Sequence, residues 1–271
     1  MLPEVVEELE YTSMFDIDDS NRTVRVLDSP GDDIAIRISM TFGDIVRTWI
    51  DRDVFHVLCR QHSERVAIPG ARYKEPVYIE RFALALFGIT SQGAHLVAYC
   101  NDDSGMKVWI SRRSAHLYTY PWMLDTTAAG GVKAGVSPFQ TIVEEAFEEA
   151  SLPEVLVRQR AFCRGAISHM VITGADFPGE KGLVTPDVCH VYDMELQQDV
   201  VPRPHDDEVS SFTLMTVEDL KSALLREEFK PDSAAVLVEF LIRHSFITPE
   251  NEPDFVEINM RLHRRLPFRT G

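Results

Sequence analysis

Between Ser137 and Pro153 the chain carries four glutamates and no lysine or arginine, and this stretch restricts the possible folds more than any other. It belongs to the segment AAGGVKAGVSPFQTIVEEAFEEASLP, Ala128 to Pro153, which opens with the pair Gly130-Gly131 and has a third glycine at Gly135. Ser137 suits a helix N-cap, Pro138 the first helical position, and Gln140 the reciprocal partner three residues on. Phe139, Ile142, Val143, Ala146, Phe147 and Ala150 then recur at helical spacing as one apolar stripe. Glu144, Glu145, Glu148 and Glu149 fall on the other face, and Leu152-Pro153 closes the element.

The acidic cluster is electrostatically misplaced. It occupies the C-terminal half of its helix, where the macrodipole disfavours negative charge. Glu145 with Glu148, Glu145 with Glu149, and Glu144 with Glu148 are like-charge neighbours, each costing about 0.2–0.5 kcal/mol. Two readings fit these residues. One is a solvated acidic face. The other is a site for a divalent cation, which would remove the repulsion; carboxylates are the ligands that Mg²⁺ or Mn²⁺ prefers.

With 271 residues, 45% of them apolar and 26% charged, the chain can bury an ordinary globular core in one large domain or two smaller ones. A net charge of −16 argues against a nucleic-acid backbone or an anionic membrane as partner. A phosphorylated small molecule stays compatible, because a metal and a local basic pocket override the global field. Cys59, Cys100, Cys163 and Cys189 are scattered with no C-x-x-C pair, as expected of reduced thiols in a cytosolic protein. The acidic N-terminus has no signal pattern, and no apolar run is long enough to span a membrane.

Residues 1–90 read as a smaller α/β region. Thr23–Leu27 and Asp33–Ser39 alternate like strands around a turn-prone SPGDD, a helical pattern runs from Phe42 to about Gln61, and Tyr78–Phe87 fits helix or strand. From Gly88 the pattern changes. Strands are expected at His95–Cys100, Lys107–Ile110, Phe162–Thr173, Val188–Leu196 and Val209–Met215, with Gly174–Asp187 as a loop. Helices follow at about Val217–Leu225 and Ser233–Ser245, which makes a mixed sheet with helices on both faces.

A glycine pair, a helix of clustered glutamates and a mixed sheet together resemble the Nudix hydrolase superfamily, whose signature is G-x5-E-x7-R-E-U-x-E-E-x-G-U. Counted from Gly130, Glu145, Glu148 and Glu149 match, while Val136, Glu144 and Ser151 replace the usual Glu, Arg and Gly. RFALALFGI, GAHLVAYC, KVWISRRS, YPWMLD, AAGGVKAGVSPF, EEASLP, GAISHM, VYDMEL, DDEVSSFTLMTVEDL, FKPDSAAVLVEFLIRH and LHRRL occur in that order. They resemble the branch with an N-terminal domain of its own, related to the Nudix part fused to some thiamine pyrophosphokinases. That branch has EEAS in place of EExG, but a basic residue where this chain has Glu144.

The resemblance implies a Nudix α/β/α sandwich over residues 91–271 behind a smaller α/β N-terminal domain, 1–90. It implies Mg²⁺- or Mn²⁺-dependent hydrolysis of a small-molecule diphosphate, with thiamine diphosphate and its oxidised, damaged forms as substrates cut to the monophosphate. Glu145, Glu148 and Glu149, at i, i+3 and i+4, would hold the metal. Gly130 and Gly131 would let the backbone approach it closely. Other leaving groups, such as a prenyl diphosphate or a nucleotide, are the second enzymatic reading. A non-catalytic diphosphate-binding module with an altered box is the third. Isopentenyl diphosphate isomerisation lacks support, as no cysteine and glutamate pair stands out.

Several residues have two readings each. Arg112 and Arg113 are phosphate clamps or ordinary surface arginines. Glu208 is a general base or extra metal ligand, or else part of a solvated turn with Asp206 and Asp207. Tyr120 and Trp122 could stack on a heteroaromatic ring, whereas Trp109 fits a core position. His169 and His190 fit core or supporting positions better than catalytic ones. Asp125 is placed to hydrogen-bond within the turn before the glycines. Glu144 becomes an additional ligand or marks altered catalysis.

Overall fold

The computed structural model describes residues 1–9, 14–27, 33–174, 177, 179–267 and 270. Its first part consists of α1 (Pro3–Glu7), the hairpin β1 (Phe15–Asp18) and β2 (Thr23–Val26), α2 (Ile34–Asp51), the pair β3 (Arg65–Ala67) and β4 (Tyr78–Glu80), and α3 (Leu84–Phe87). The expected strand at Asp33–Ser39 is instead the first two turns of α2. Its alternation of isoleucines misleads, because the buried residues are Ala35, Ile38, Phe42, Ile45, Val46 and Trp49, a helical set, while Ile36 faces outward. Of the turn expected before it, Ser29–Asp32 lie outside the described residues. The helix ends at Asp51 rather than near Gln61, where Asp53 turns into the left-handed region (φ 52°). Tyr78–Phe87 is partly strand and partly helix. Trp49 anchors this core against Phe55 and Phe87, and Leu183 joins it from the far part of the chain.

The second part is a seven-stranded mixed sheet between two helical layers. Its strands are β5 (Ser91–Asp102), β6 (Gly105–Arg113), β7 (Leu124–Asp125), β8 (Ala128–Gly131), β9 (Ala161–Ile172), β10 (Val184–Glu195) and β11 (Val209–Thr216). The order is β11-β6-β5-β10-β9; β5 and β10 are parallel, and the other neighbours antiparallel. On one face α4 (Pro138–Glu148) and α5 (Glu154–Arg160) cover Ala94, Leu96 and Ala98. On the other, α6 (Val217–Leu225), α7 (Pro231–Arg243) and α8 (Phe255–Leu262) cover Val97, Tyr99, Ile110 and Val191. The two-residue alternation of β5 thus feeds two cores. β5, β6 and β10 begin before their expected bounds, while β9 and β10 each stop one residue short. β10 takes Val184–Asp187 from the expected loop because they pair with His169–Ile172, and Arg112-Arg113 lie inside β6 rather than after it. The short helices α5 and α8 had no expectation.

Asp193 ties α7 to the sheet. Buried in β10, it accepts both Nη1 (2.5 Å) and Nη2 (2.9 Å) of Arg243, with His244 Nε2 at 3.2 Å and Arg164 Nε at 3.4 Å. Burial alone would raise its carboxyl, but His244 and Arg243 override that and hold it below its ordinary range.

One irregularity of the sheet positions the site. β5 and β6 pair only from Tyr99–Asp102 to Gly105–Val108 and then splay apart. The chain from Leu124 to Gly131 fills the fork, with β7 on β6 and β8 on β5, so that Gly130 pairs with Ala94 and Gly131 with Gly93. Two fully buried threonines join the arms. Thr127 Oγ1 donates to Trp109 O (2.7 Å) and accepts from Ala98 N (2.8 Å), and Thr126 O accepts from Ser111 Oγ (2.7 Å).

Candidate active site

Ser137 caps α4 as its sequence predicts, accepting from Gln140 N at 3.1 Å, and Pro138 takes the first helical position. The helix is shorter than expected and ends at Glu148, with Glu149 as its C-cap. Ser151 follows in the left-handed region (φ 55°), which explains why glycine is usual there. A serine in that conformation costs about 1–2 kcal/mol. The chain 203–208 folds over this helix end. Ala150 O and Glu148 O accept from Arg203 N and Asp206 N, each at 3.0 Å, and Ser151 Oγ donates to Arg203 O (2.9 Å). Carbonyls that the helix leaves open are thereby satisfied, and Asp206 and Glu208 come beside the helix glutamates.

The four glutamates do not share one solvated face. Glu149 is only 7% exposed, Glu145 is half-buried, and both turn toward β8, while Glu148 points outward. Phe147, expected in the apolar stripe, is instead 50% exposed and packs edge-on against His205. Glu149 Oε2 accepts from Ala129 N at 2.9 Å. Glu145 lies against Gly130 so closely that a Cβ there would stand 2.1 Å from its Oε1. Gly130 is required for that approach.

Burial raises the Glu145 carboxyl to about 7, opposed by Lys133 and reinforced by Glu148, Glu208 and Asp206. Glu149 is pushed well above the carboxylate range by burial first, then by Asp125 and Glu145, against the Ala129 N–H. Two acids buried together, with one lysine nearby in partial compensation, form a site whose charge is unbalanced. An oxygen-only donor set of this kind suits Mg²⁺ or Mn²⁺. Glu144 stands apart, bonded to Gln140 Nε2 (2.8 Å), while Gln140 Oε1 accepts from Arg158 Nη2 (2.5 Å).

Arg112 and Arg113 diverge. Arg113 is committed internally, donating to Thr119 O (3.1 Å), Tyr120 O (3.2 Å) and Asp125 Oδ2 (3.3 Å). Arg112 donates Nη1–H to Trp122 O (2.9 Å), and its guanidinium carbon lies 5.7 Å from the Trp122 ring centroid. Tyr120 and Trp122 both adopt left-handed backbone angles (φ 50° and 65°), and Trp122 is 55% exposed. Glu208 is exposed, its backbone fixed by Ser114 N to its carbonyl (2.8 Å) and by its own N–H to Asp206 Oδ1 (3.1 Å).

Behind this wall lies a buried polar network of which only Asp125 and Arg113 are candidates from sequence. Asp125 accepts from Thr126 N (2.7 Å), from Arg113 and from Ser233 Oγ, and Lys230 Nζ is 3.9 Å away. Lys230 pairs with Asp232 at 2.8 Å. Burial opposes both charges, but the pairing overrides it, holding Lys230 above and Asp232 below the ordinary range. His95 Nδ1 meets Thr126 Oγ1 (3.1 Å), and burial, outweighing Asp232, favours its neutral form. The signal for this network was the charged FKPDS opening an otherwise apolar helix.

The N-terminal part reaches the glycines as well. Arg81, ion-paired with Glu64, packs over Gly131, where a Cβ would fall 2.9 Å from Arg81 Cδ. Ala134 N donates to Arg65 O at 2.9 Å.

Residues 91–240 match the profile of the NUDIX domain, more than half of the chain. The uncharacterized protein YJR142W of Saccharomyces cerevisiae is 40% identical over 204 residues, covering 73% of this chain and 60% of its own. Nudix hydrolase 20, chloroplastic, of Arabidopsis thaliana is 34% identical over 231 residues, covering 81% of this chain and 58% of its own. The chain thus spans about three-fifths of the length of these curated relatives. Among solved structures, DR0079 of Deinococcus radiodurans is similar, with a TM-score of 0.45 at 21% identity, covering 65% of this chain and 98% of its own.

Proposed function

The chain belongs to the NUDIX family, and from that premise we propose that it is a metal-dependent hydrolase that cleaves an organic diphosphate to the monophosphate. One observation carries the reading. Buried Glu149 and half-buried Glu145, one helical turn apart, face the glycine strand with their charge unbalanced, and Glu148 and Glu208 stand beside them. Glu145, Glu148 and Glu149 would hold Mg²⁺ or Mn²⁺, which when bound neutralises the diphosphate and activates water for attack at phosphorus.

The protein groups have separate tasks. Gly130 and Gly131 keep the backbone low beside the carboxylates, so that phosphate oxygens can come close. Arg112, whose guanidinium lies over the Trp122 ring, would receive the phosphates, while Arg113 positions the Thr119–Asp125 turn. Glu208, a neighbour of Glu145 and Glu149, would take a proton from water. Tyr120 and Trp122 offer aromatic faces to the organic group.

A thiamine-diphosphate-like substrate, including oxidised forms, is supported by the ordered blocks from RFALALFGI to LHRRL and by the two aromatic residues. We place the activity in a reducing compartment such as the cytosol, in keeping with four free cysteines. No helix among the described residues is long and apolar enough to cross a membrane.

The test is a panel of thiamine, prenyl and nucleoside diphosphates incubated with Mg²⁺, with monophosphate release as readout. Turnover of thiamine diphosphates that collapses in Glu148→Gln and Glu149→Gln without loss of fold is expected. Turnover of prenyl diphosphates alone would overturn the substrate. Binding without release from any member of the panel would make the chain a binding module.

A further inference from the structure

A second set of metal-ligating side chains lies on the opposite face of the sheet from α4. In the β9–β10 hairpin His169 is directly opposite Asp187, and Cys189 follows two residues along β10, so all three project from one face. That face is the one under α7, because Ile167, Cys189 and Val191 belong to its core.

One ligand atom from each residue lies within 4.8 Å of the other two. Cys189 Sγ is 3.3 Å from Asp187 Oδ2, and His169 Nε2 is 3.9 Å from the same oxygen. Ser91 Oγ donates to Asp187 Oδ1 at 2.6 Å and so orients the carboxylate. His169 is poorly satisfied for a partly buried imidazole. Its Nε2 stops short of hydrogen-bond distance, and its Nδ1 is buried with no partner among the described residues. An unsatisfied buried group of this kind costs about 1–3 kcal/mol.

An ion would give Nε2, the nitrogen facing Asp187, the partner it lacks, while Nδ1 keeps its N–H unpaired. With Zn–S of about 2.3 Å and Zn–N and Zn–O near 2.1 Å, tetrahedral ligand atoms stand about 3.4–3.6 Å apart. The Cys189–Asp187 contact is already close to that spacing, whereas His169 must close by about 0.5 Å on Asp187 and, from within 4.8 Å, by up to about 1.2 Å on Cys189, a shift within reach of a side-chain rotation. We propose that His169, Asp187 and Cys189 bind a borderline-soft divalent transition metal, with Zn²⁺ as the type ion, at a site separate from the helix glutamates. Cys189 gives its proton to solvent as the sulfur–metal bond forms. Thiolate and imidazole select against Mg²⁺, and three protein ligands leave a fourth position for water or a small ligand.

The test uses the full chain, stripped with a chelator and then held in a large excess of Mg²⁺ to occupy the glutamates. Zn²⁺ or Co²⁺ is added alone. One tightly held equivalent is expected, with a thiolate-to-cobalt charge-transfer band that survives Cys163→Ser. Cys189→Ser should abolish the band, and His169→Gln should lower Co²⁺ affinity by about 100-fold or more. Circular dichroism of each variant reports its fold; should Cys189→Ser misfold, the wild-type band and the His169→Gln titration decide. Absence of the band in the wild-type chain overturns the proposal, as does binding that Mg²⁺ competes away or that His169→Gln leaves unchanged.

Discussion

Gly130→Ala separates metal binding from folding more cleanly than removing a glutamate. An alanine Cβ would stand 2.1 Å from Glu145 Oε1, 2.3 Å from Cδ and 2.6 Å from Cγ, where ordinary contact begins at 3.4 Å. The carboxyl group must therefore retreat by about 1.3 Å, and van der Waals repulsion leaves no alternative short of moving β8. A displacement of about 1 Å at a catalytic group costs about 100-fold in rate, or about 2.7 kcal/mol of barrier. The backbone itself accepts alanine, since Gly130 is not among the residues with positive φ. Loss of unfolded-state freedom would then stabilise the chain by about 0.4–1 kcal/mol, offsetting part of the displacement. The assay is kcat/KM across a Mg²⁺ titration, beside a thermal melt. Gly130→Ala should lose about 100-fold in activity, require more Mg²⁺, and melt near the parent. Gly135→Ala provides the contrast: φ is 76° and nothing lies within 4 Å, so it should cost about 1 kcal/mol of stability and displace no carboxylate. In a Glu145→Ala background, Gly130→Ala should add little. Full activity with unchanged Mg²⁺ dependence in Gly130→Ala, or simple additivity in the double variant, would refute the assignment of Glu145.

Three further outcomes are expected. Glu145 and Glu149 titrate above the carboxylate range, so the folded metal-free chain binds more protons than the unfolded chain, and its stability falls as pH rises from the ordinary range through about 7. Melts with and without Mg²⁺ should therefore diverge as pH rises; a metal-free Tm that climbs over that interval sinks the idea. Asp193→Asn removes the buried carboxylate that accepts from half-buried Arg243, which keeps Glu239 as partner, and should destabilise by about 1–3 kcal/mol in urea unfolding, a value near zero being the contrary result. Arg81→Ala removes the side chain packed on Gly131 and should raise the Mg²⁺ requirement with little change in far-UV circular dichroism; unchanged Mg²⁺ dependence would show that the contact is idle.

The NUDIX half was legible because its signals are local. Ser137-Pro138 states a helix start in two residues, and the alternation in β5 states which face each side chain takes. Phe147 shows the limit of that reading. Helical spacing placed it in the stripe, but the helix stops one residue later and the 203–208 segment, far away in sequence, supplies His205 as its partner. Glu149 fails in the opposite sense, since its buried position depends on Ala129 N–H and on a fork in the sheet that no local pattern encodes. Lys230 and Asp232 are illegible for a similar reason: a charged pair at a helix start reads as solvated unless Asp125 and His95 are known to lie beside it. In α2, alternating isoleucines imitated a strand because period two and period 3.6 coincide over a few residues.

The contact of Arg65 and Arg81 with the glycine loop carries an obligation of reciprocity. If the N-terminal part holds Gly131 and Ala134 in place for a ligand, then a ligand that tightens the loop must tighten the N-terminal part by the same free energy. Slowed amide exchange around Glu64–Arg65 and Arg81 would register occupancy of the site from the N-terminal part. The first ninety residues would then act as the instrument on which binding is read, and damage to the Trp49 core would appear as a loss of ligand affinity before it appeared as a loss of fold.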